Sequence, residues 1–356
     1  MGEILTFLKK AVEQNASDLF IISGLKLSVK VNGTINAIDD EIVMPVKADE
    51  LIRELYELAS RPLDRYLTHG DDDFSLSIPG LSRFRVSTYK QRGSMAAVIR
   101  VVRFDLPDFH LLGIPDEVLT IAKKTRGLVL VTGPAGSGKS TTLAYIIDTI
   151  NNTRNSHVVT IEDPIEFLHK NKESVLSQRE IGTDTESYLT ALRACLRQAP
   201  NVILLGEMRD LDTIRTAMTA AETGHLVLSS LHTIGAVNTI DRIVDVFPPN
   251  QQQQVRIQLS MVLQTVISQQ LLPKENGGLV PAFEIMHLNS AIRNLIRDSK
   301  THQIDAIIQS SSSEGMVSID SSIFNLYEKK AISLETAMKF AYSTDWMERK
   351  ISNANK

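Results

Sequence analysis

The stretch Gly133-Pro134-Ala135-Gly136-Ser137-Gly138-Lys139-Ser140-Thr141 constrains this chain more than any other feature. It fits G-x-x-x-x-G-K-[ST], a loop that cradles phosphate, and its flanks fit as well. Gly127–Thr132 is a short apolar run with β-branched residues, which reads as a buried strand. Beyond the loop, Leu143, Ile146, Ile147 and Ile150 recur at helical spacing. Strand, glycine loop and helix therefore come in the order the motif requires. Glycines let backbone N–H groups curl around phosphate oxygens, and the helix N-terminus adds partial positive charge. Lys139 can reach the terminal phosphates and Ser140 can offer its hydroxyl to Mg²⁺. The stretch predicts binding of a nucleoside triphosphate.

The remaining pattern predicts an α/β chain in two parts, which 356 residues can accommodate with a core in each. In the first part Ile4, Leu5, Leu8, Ala11 and Val12 predict an opening helix, and residues 49–59 a second. Strands are expected at 19–22, 27–31, 34–38, 73–78, 84–89 and 96–102, with Asn32-Gly33 as a hairpin turn. This reads as a small α/β domain, residues 1–103, with a largely antiparallel sheet. Phe104–Pro115 carries prolines and little periodicity and reads as a linker. From 116 to 356, apolar strands at 127–132, 157–161, 201–205 and 225–230 alternate with helices near 140–150, 186–198 and 210–222. That alternation predicts a parallel sheet covered on both faces. After residue 235 helical pattern dominates, apart from a strand pair near 279–286.

Composition narrows the class. A net charge of −4 gives no general pull toward nucleic acid or an anionic membrane. No apolar run approaches the roughly 20 residues of a membrane span, and the N-terminus lacks a signal-peptide core, so a cytoplasmic protein is expected. Cys195 is the single cysteine, which excludes an intramolecular disulfide and a zinc site of several thiolates.

Several polar groups stand at expected strand ends, where ligands bind in open α/β sheets. Glu162, Asp163 and Glu166 follow the strand at 157–161, and one of them can orient the attacking water. Glu207 follows the strand at 201–205, with Gly206 between, and is expected to hold Mg²⁺ through water. His225 and His232 bracket the strand at 225–230, and His232 is placed to bond a phosphate or a neighbouring carboxylate. Arg83, Arg85, Arg100 and Arg103 are either a solvated basic strand face or cations that reach phosphate.

Together, Gly133–Thr141, Thr160–Phe167, Gly206–Asp210 and Gly224–Thr233 resemble the Walker A, Asp box, Walker B and His box of the secretion-ATPase superfamily. Ala291–Asp298, Val175–Glu180, Leu196–Asn201 and Asp18–Phe20 are similar to segments of its type IV pilus retraction ATPase (PilT) family. Ala135, where many relatives carry threonine, and Thr233–Ala236 depart slightly from the pattern. The resemblance implies a PAS-like N-terminal domain, a RecA-like P-loop domain with a C-terminal helical bundle, and a homohexamer. It implies ATP and Mg²⁺ without zinc, the nucleotide lying between the domains. It assigns Glu166 as catalytic glutamate with Glu162 second, Glu207 and His232 to their boxes, and Arg85 and Arg100 as the approaching arginines. The implied partners are an inner-membrane platform protein and, indirectly, pilin, with no direct nucleic acid. The implied location is the inner face of the cytoplasmic membrane. Extension ATPases of the superfamily usually carry a tetracysteine zinc motif and a longer N-terminal region, so a single cysteine favours retraction. A motor for DNA uptake or type II secretion, a non-hydrolysing scaffold and a nucleic-acid motor are the alternatives.

Overall fold

Alternating apolar residues build one antiparallel sheet in the first hundred positions, and continuous apolar runs build a largely parallel one after residue 126. The computed structural model describes residues 2–31, 33–102, 106 and 109–354. The chain divides into two compact units, Met1–Asp105 with Glu166–Leu168, and Leu106–Ile165 with His169–Lys356. Asn32, Arg103 and residues 104, 105, 107 and 108 of the expected linker lie outside the described residues.

The first unit holds β1 (Asp18–Ile21), β2 (Lys26–Val31), β3 (Thr34–Ile42), β4 (Asp71–Ile78), β5 (Ser82–Gln91) and β6 (Ser94–Val102). They lie in the order β3-β2-β1-β6-β5-β4, each neighbour antiparallel. One face carries Leu19, Val29, Phe84, Val86 and Ile99, buried in one core with apolar residues of α1 (Glu3–Glu13) and α2 (Pro45–Leu58). A short α3 (Asp64–His69) precedes β4. On that same inner face Asp72 is a buried acid, and it is fully paired. Its carboxylate accepts from Arg61 Nε and Nη2 at 2.9 Å each and from the Tyr56 hydroxyl at 3.2 Å.

The second unit holds β7 (Gly127–Thr132), β8 (His157–Glu162), β9 (Val175–Glu180), β10 (Val202–Leu205), β11 (Leu226–Leu231), β12 (Leu263–Pro273) and β13 (Leu279–His287). The order is β13-β12-β7-β11-β10-β8-β9, parallel except for the β12–β13 hairpin. Strand residues alternate between two cores although every position is apolar. Leu128, Leu130, Ile203 and Leu205 enter one core; Val129, Val131, Val202 and Leu204 enter the other. The helices are α4 (Phe109–Leu112), α5 (Asp116–Leu119), α6 (Lys139–Thr153), α7 (Tyr188–Cys195), α8 (Leu211–Glu222), α9 (Ala236–Asp245), α10 (Pro249–Val262) and α11 (Ser290–Arg297). Four more follow: α12 (Ile304–Ser310), α13 (Ile319–Glu328), α14 (Leu334–Phe340) and α15 (Thr344–Ala354).

The structure corrects the expectation for the region after residue 235. The strand at 279–287 is one half of a hairpin whose other half, β12, lies in a stretch that reads as helical. Helix α10 ends at Val262 and β12 begins at Leu263, with no glycine or proline to mark the change. Thr265, Ser268 and Gln269 are buried inside the strand, so the apolar run that signals a central strand is broken.

Candidate nucleotide site

The phosphate loop leaves β7, whose six residues are all buried, and enters α6 at Lys139. Gly133 has φ 142°, and a Cβ there would lie 2.1 Å from the Gln269 carbonyl oxygen and 2.7 Å from Ser137 Oγ. No other residue fits that corner. Lys139 is 8% exposed, and its Nζ donates to the Gly133 and Pro134 carbonyls at 2.9 Å each. Ser137 Oγ is buried and has no hydrogen-bond partner among the described residues. A buried lysine, an unpaired hydroxyl and the start of a helix thus converge on one cradle, a donor set suited to a polyphosphate.

Because β7, β11, β10 and β8 run parallel, their carboxyl ends share one edge. Leu231 pairs with Thr132, and Leu205 pairs with Ser229 and Ile161. His232 follows β11 and lies between two charged groups of that edge. Its Nδ1 is 3.4 Å from Lys139 Nζ, and its Nε2 is 3.4 Å from Glu207 Oε2. Arg209 Nε stands 2.7 Å from the same Glu207 oxygen. His225 plays a local part: its Nδ1 is 2.9 Å from the Ala220 carbonyl at the end of α8.

Glu162 ends β8, and its Oε1 accepts from Thr160 Oγ1 at 2.6 Å. The acids expected together at this turn divide between the units. Glu162 and Asp163 belong to the second unit, whereas exposed Glu166 groups with the first. The Tyr188 side chain closes over Gly206: a Cβ there would lie 2.8 Å from the Tyr188 hydroxyl, which would have to move. Burial, and then the charges of Glu207, Asp163 and Glu162, push the Tyr188 phenol well above its ordinary value. Tyr188 therefore stays neutral among these acids. Arg85 and Arg100 are register partners on the outer face of the first unit's sheet, and Arg100 Nε is 3.1 Å from Asp18 Oδ1.

Sequence reasoning missed Tyr188 and two residues of β12. Ser268 Oγ accepts from Gly235 N at 2.9 Å, and the Gln269 side chain bonds the phosphate loop. Among the described residues no group of three or more His, Cys, Asp and Glu is arranged to hold a metal ion.

A phosphate loop between a buried parallel strand and a helix, with acids and a histidine at the ends of neighbouring strands, defines a P-loop nucleotide-binding α/β protein. The chain belongs to the type II/IV secretion system protein family, whose model matches residues 3–277. It is 43% identical over 343 residues to the type IV pilus retractation ATPase PilT of Pseudomonas aeruginosa, covering 95% of this chain and 98% of the relative. It is 41% identical over 345 residues to a twitching motility protein of Neisseria gonorrhoeae, covering 97% and 92%. A crystal structure of the pilus retraction motor PilT with bound ADP superposes with a TM-score of 0.89 at 45% identity, covering 98% of this chain and all of that one.

Proposed function

We propose that this protein is an ATP-hydrolysing motor that powers type IV pilus retraction. The observation that carries the proposal is the line Lys139–His232–Glu207 along one sheet edge, in a chain similar along nearly its whole length to retraction ATPases. It brings a cation able to hold phosphate and a strand-end carboxylate to one edge, two of the parts that nucleotide hydrolysis uses.

In this reading residues 1–103 form a PAS-like domain, 104–115 a linker and 116–356 a RecA-like ATPase domain with a C-terminal helical bundle. The backbone of Gly133–Thr141 cradles the phosphates, and Lys139 neutralises their charge. Ser140 and Glu207 would hold Mg²⁺, which would supply charge neutralisation at the phosphates. Glu166 positions and deprotonates the attacking water, with Glu162 as the second candidate. His232 links the Lys139 cation to Glu207. Arg85 and Arg100 are the cations that meet developing phosphate charge. The motor works as a homohexamer at the inner face of the cytoplasmic membrane, acting on pilin through an inner-membrane platform protein.

Deleting the gene in its source organism and counting surface filaments tests the proposal. A retraction motor predicts an excess of filaments that do not retract, and loss of filaments would point to extension instead. Steady-state ATPase of the purified chain separates a motor from a scaffold that binds nucleotide without turnover.

A further inference from the structure

Two consecutive residues of β12 face opposite sides of the sheet and each holds a loop of the nucleotide site. Ser268 bonds Gly235, three residues past His232. Gln269 turns the other way and is 2% exposed. Its Nε2 donates to the Ser137 carbonyl in the middle of the phosphate loop, and its Oε1 accepts from Thr142 Oγ1 in the first turn of α6 at 2.7 Å. One buried amide, used at both ends, ties the centre of the loop to the start of the helix.

The consequence follows from peptide planarity. In a trans peptide the C=O and the next N–H point in opposite directions. Pinning the Ser137 carbonyl toward Gln269 therefore aims the Gly138 N–H away from β12. The Thr142 contact fixes α6 against the same side chain, so loop and helix keep their relative rotation. Backbone donors that are aimed before phosphate arrives bind it without paying to be ordered.

We infer that Gln269 is the positioning residue of the phosphate loop, setting the direction of its backbone donors for a nucleoside di- or triphosphate. The inference rests on the proposed nucleotide reading of this site. Thr142 is its partner in that role, and β12 is the strut that carries the constraint from the sheet.

Calorimetric titration with ADP and steady-state ATP turnover, on the full-length chain and its variants, test this. Gln269→Glu keeps the acceptor for Thr142 but sets a carboxylate oxygen against the Ser137 carbonyl. It should weaken ADP binding about tenfold or more and raise the KM for ATP in step, with a smaller fall in kcat. Thr142→Val removes only the partner hydroxyl and should weaken ADP binding at least about threefold, whereas Thr142→Ser keeps the hydroxyl and should restore wild-type affinity. A side chain that only supported the fold would lower the melting temperature and leave KM unchanged. ADP affinity within about twofold of wild type in a folded Gln269→Glu overturns the inference, and so does unchanged affinity in Thr142→Val should Gln269→Glu fail to fold. Wild-type protein that binds no ADP would overturn the nucleotide reading itself, a result distinct from either.

Discussion

Lys139 and His232 meet at the carboxyl edge of the sheet, with Nζ 3.4 Å from Nδ1. An ammonium group can only donate, so Nδ1 is the accepting nitrogen of this pair. The other ring nitrogen, Nε2, lies 3.4 Å from Glu207 Oε2. The imidazole thus stands between the Lys139 cation and the acid that follows β10.

Breaking that link should slow chemistry more than binding. His232→Ala is expected to lower kcat about tenfold or more while ADP affinity stays within about threefold, because the cradle keeps its backbone donors and Lys139. ATPase kinetics beside ADP titration measure both. An unchanged kcat would make the imidazole a spectator.

The two glutamates of the Asp box differ in what they are bonded to. Glu162 Oε1 accepts from Thr160 and from Gln178 Nε2 at 3.5 Å, so its orientation is set by its own sheet. Glu166 is exposed. Glu166→Gln should retain nucleotide binding and lose about a hundredfold or more in turnover. Glu162→Gln keeps the oxygen that Thr160 bonds and should cost less than about tenfold. Turnover that survives in both variants would remove the base from this box.

These residues also show where a sequence can be read and where it cannot. Gly133–Lys139 was legible because the phosphate cradle uses local backbone geometry, and local geometry leaves a fixed spacing. Glu207 and His232 were legible because each ends an apolar run. Gln269 left no such trace. It lies 130 residues beyond Lys139 and reaches the loop only because β12 pairs with β7. The side chain that makes it useful also breaks the strand's apolar run, so function erased the signal of structure. Tyr188 opens a helix as many tyrosines do, and only the folded packing against Gly206 brings it among the acids.

Asp72 makes the first unit depend on one buried carboxylate, paired with Arg61 at 2.9 Å and with Arg65 at 3.5 Å. Burial pushes its carboxyl up, but the Arg61 guanidinium outweighs that and holds it below the ordinary carboxylate value. A carboxyl depressed in the fold stabilises above its unfolded value, and that contribution is lost as pH falls through the folded one. Asp72→Asn leaves Arg61 half-paired beside a buried amide and should cost about 3 kcal/mol of stability. Chemical denaturation followed by a probe in the first unit reads the loss. A variant as stable as wild type would mean that Arg61 and Tyr56 find water instead.

Glu284 on β13 predicts the opposite slope at higher pH. Burial, aided by the charges of Asp305 and Asp320 and opposed by the Ala236 N–H, pushes its carboxyl from 4.5 up to about 7. Between those values the unfolded chain is ionised there while the folded chain keeps its proton. Stability from this group is therefore full below pH 4.5, falls as pH rises toward 7, and levels off above. The span amounts to a penalty on the order of 3 kcal/mol at pH 8. Glu284→Gln keeps the oxygen that accepts from Ala236 N at 2.7 Å and cannot ionise. Its stability should change less than that of wild type between pH 5 and 8 and exceed it at pH 8. Melting temperatures of both proteins at the two pH values decide the matter, and parallel changes would show that Glu284 ionises without cost, with water reaching its carboxylate.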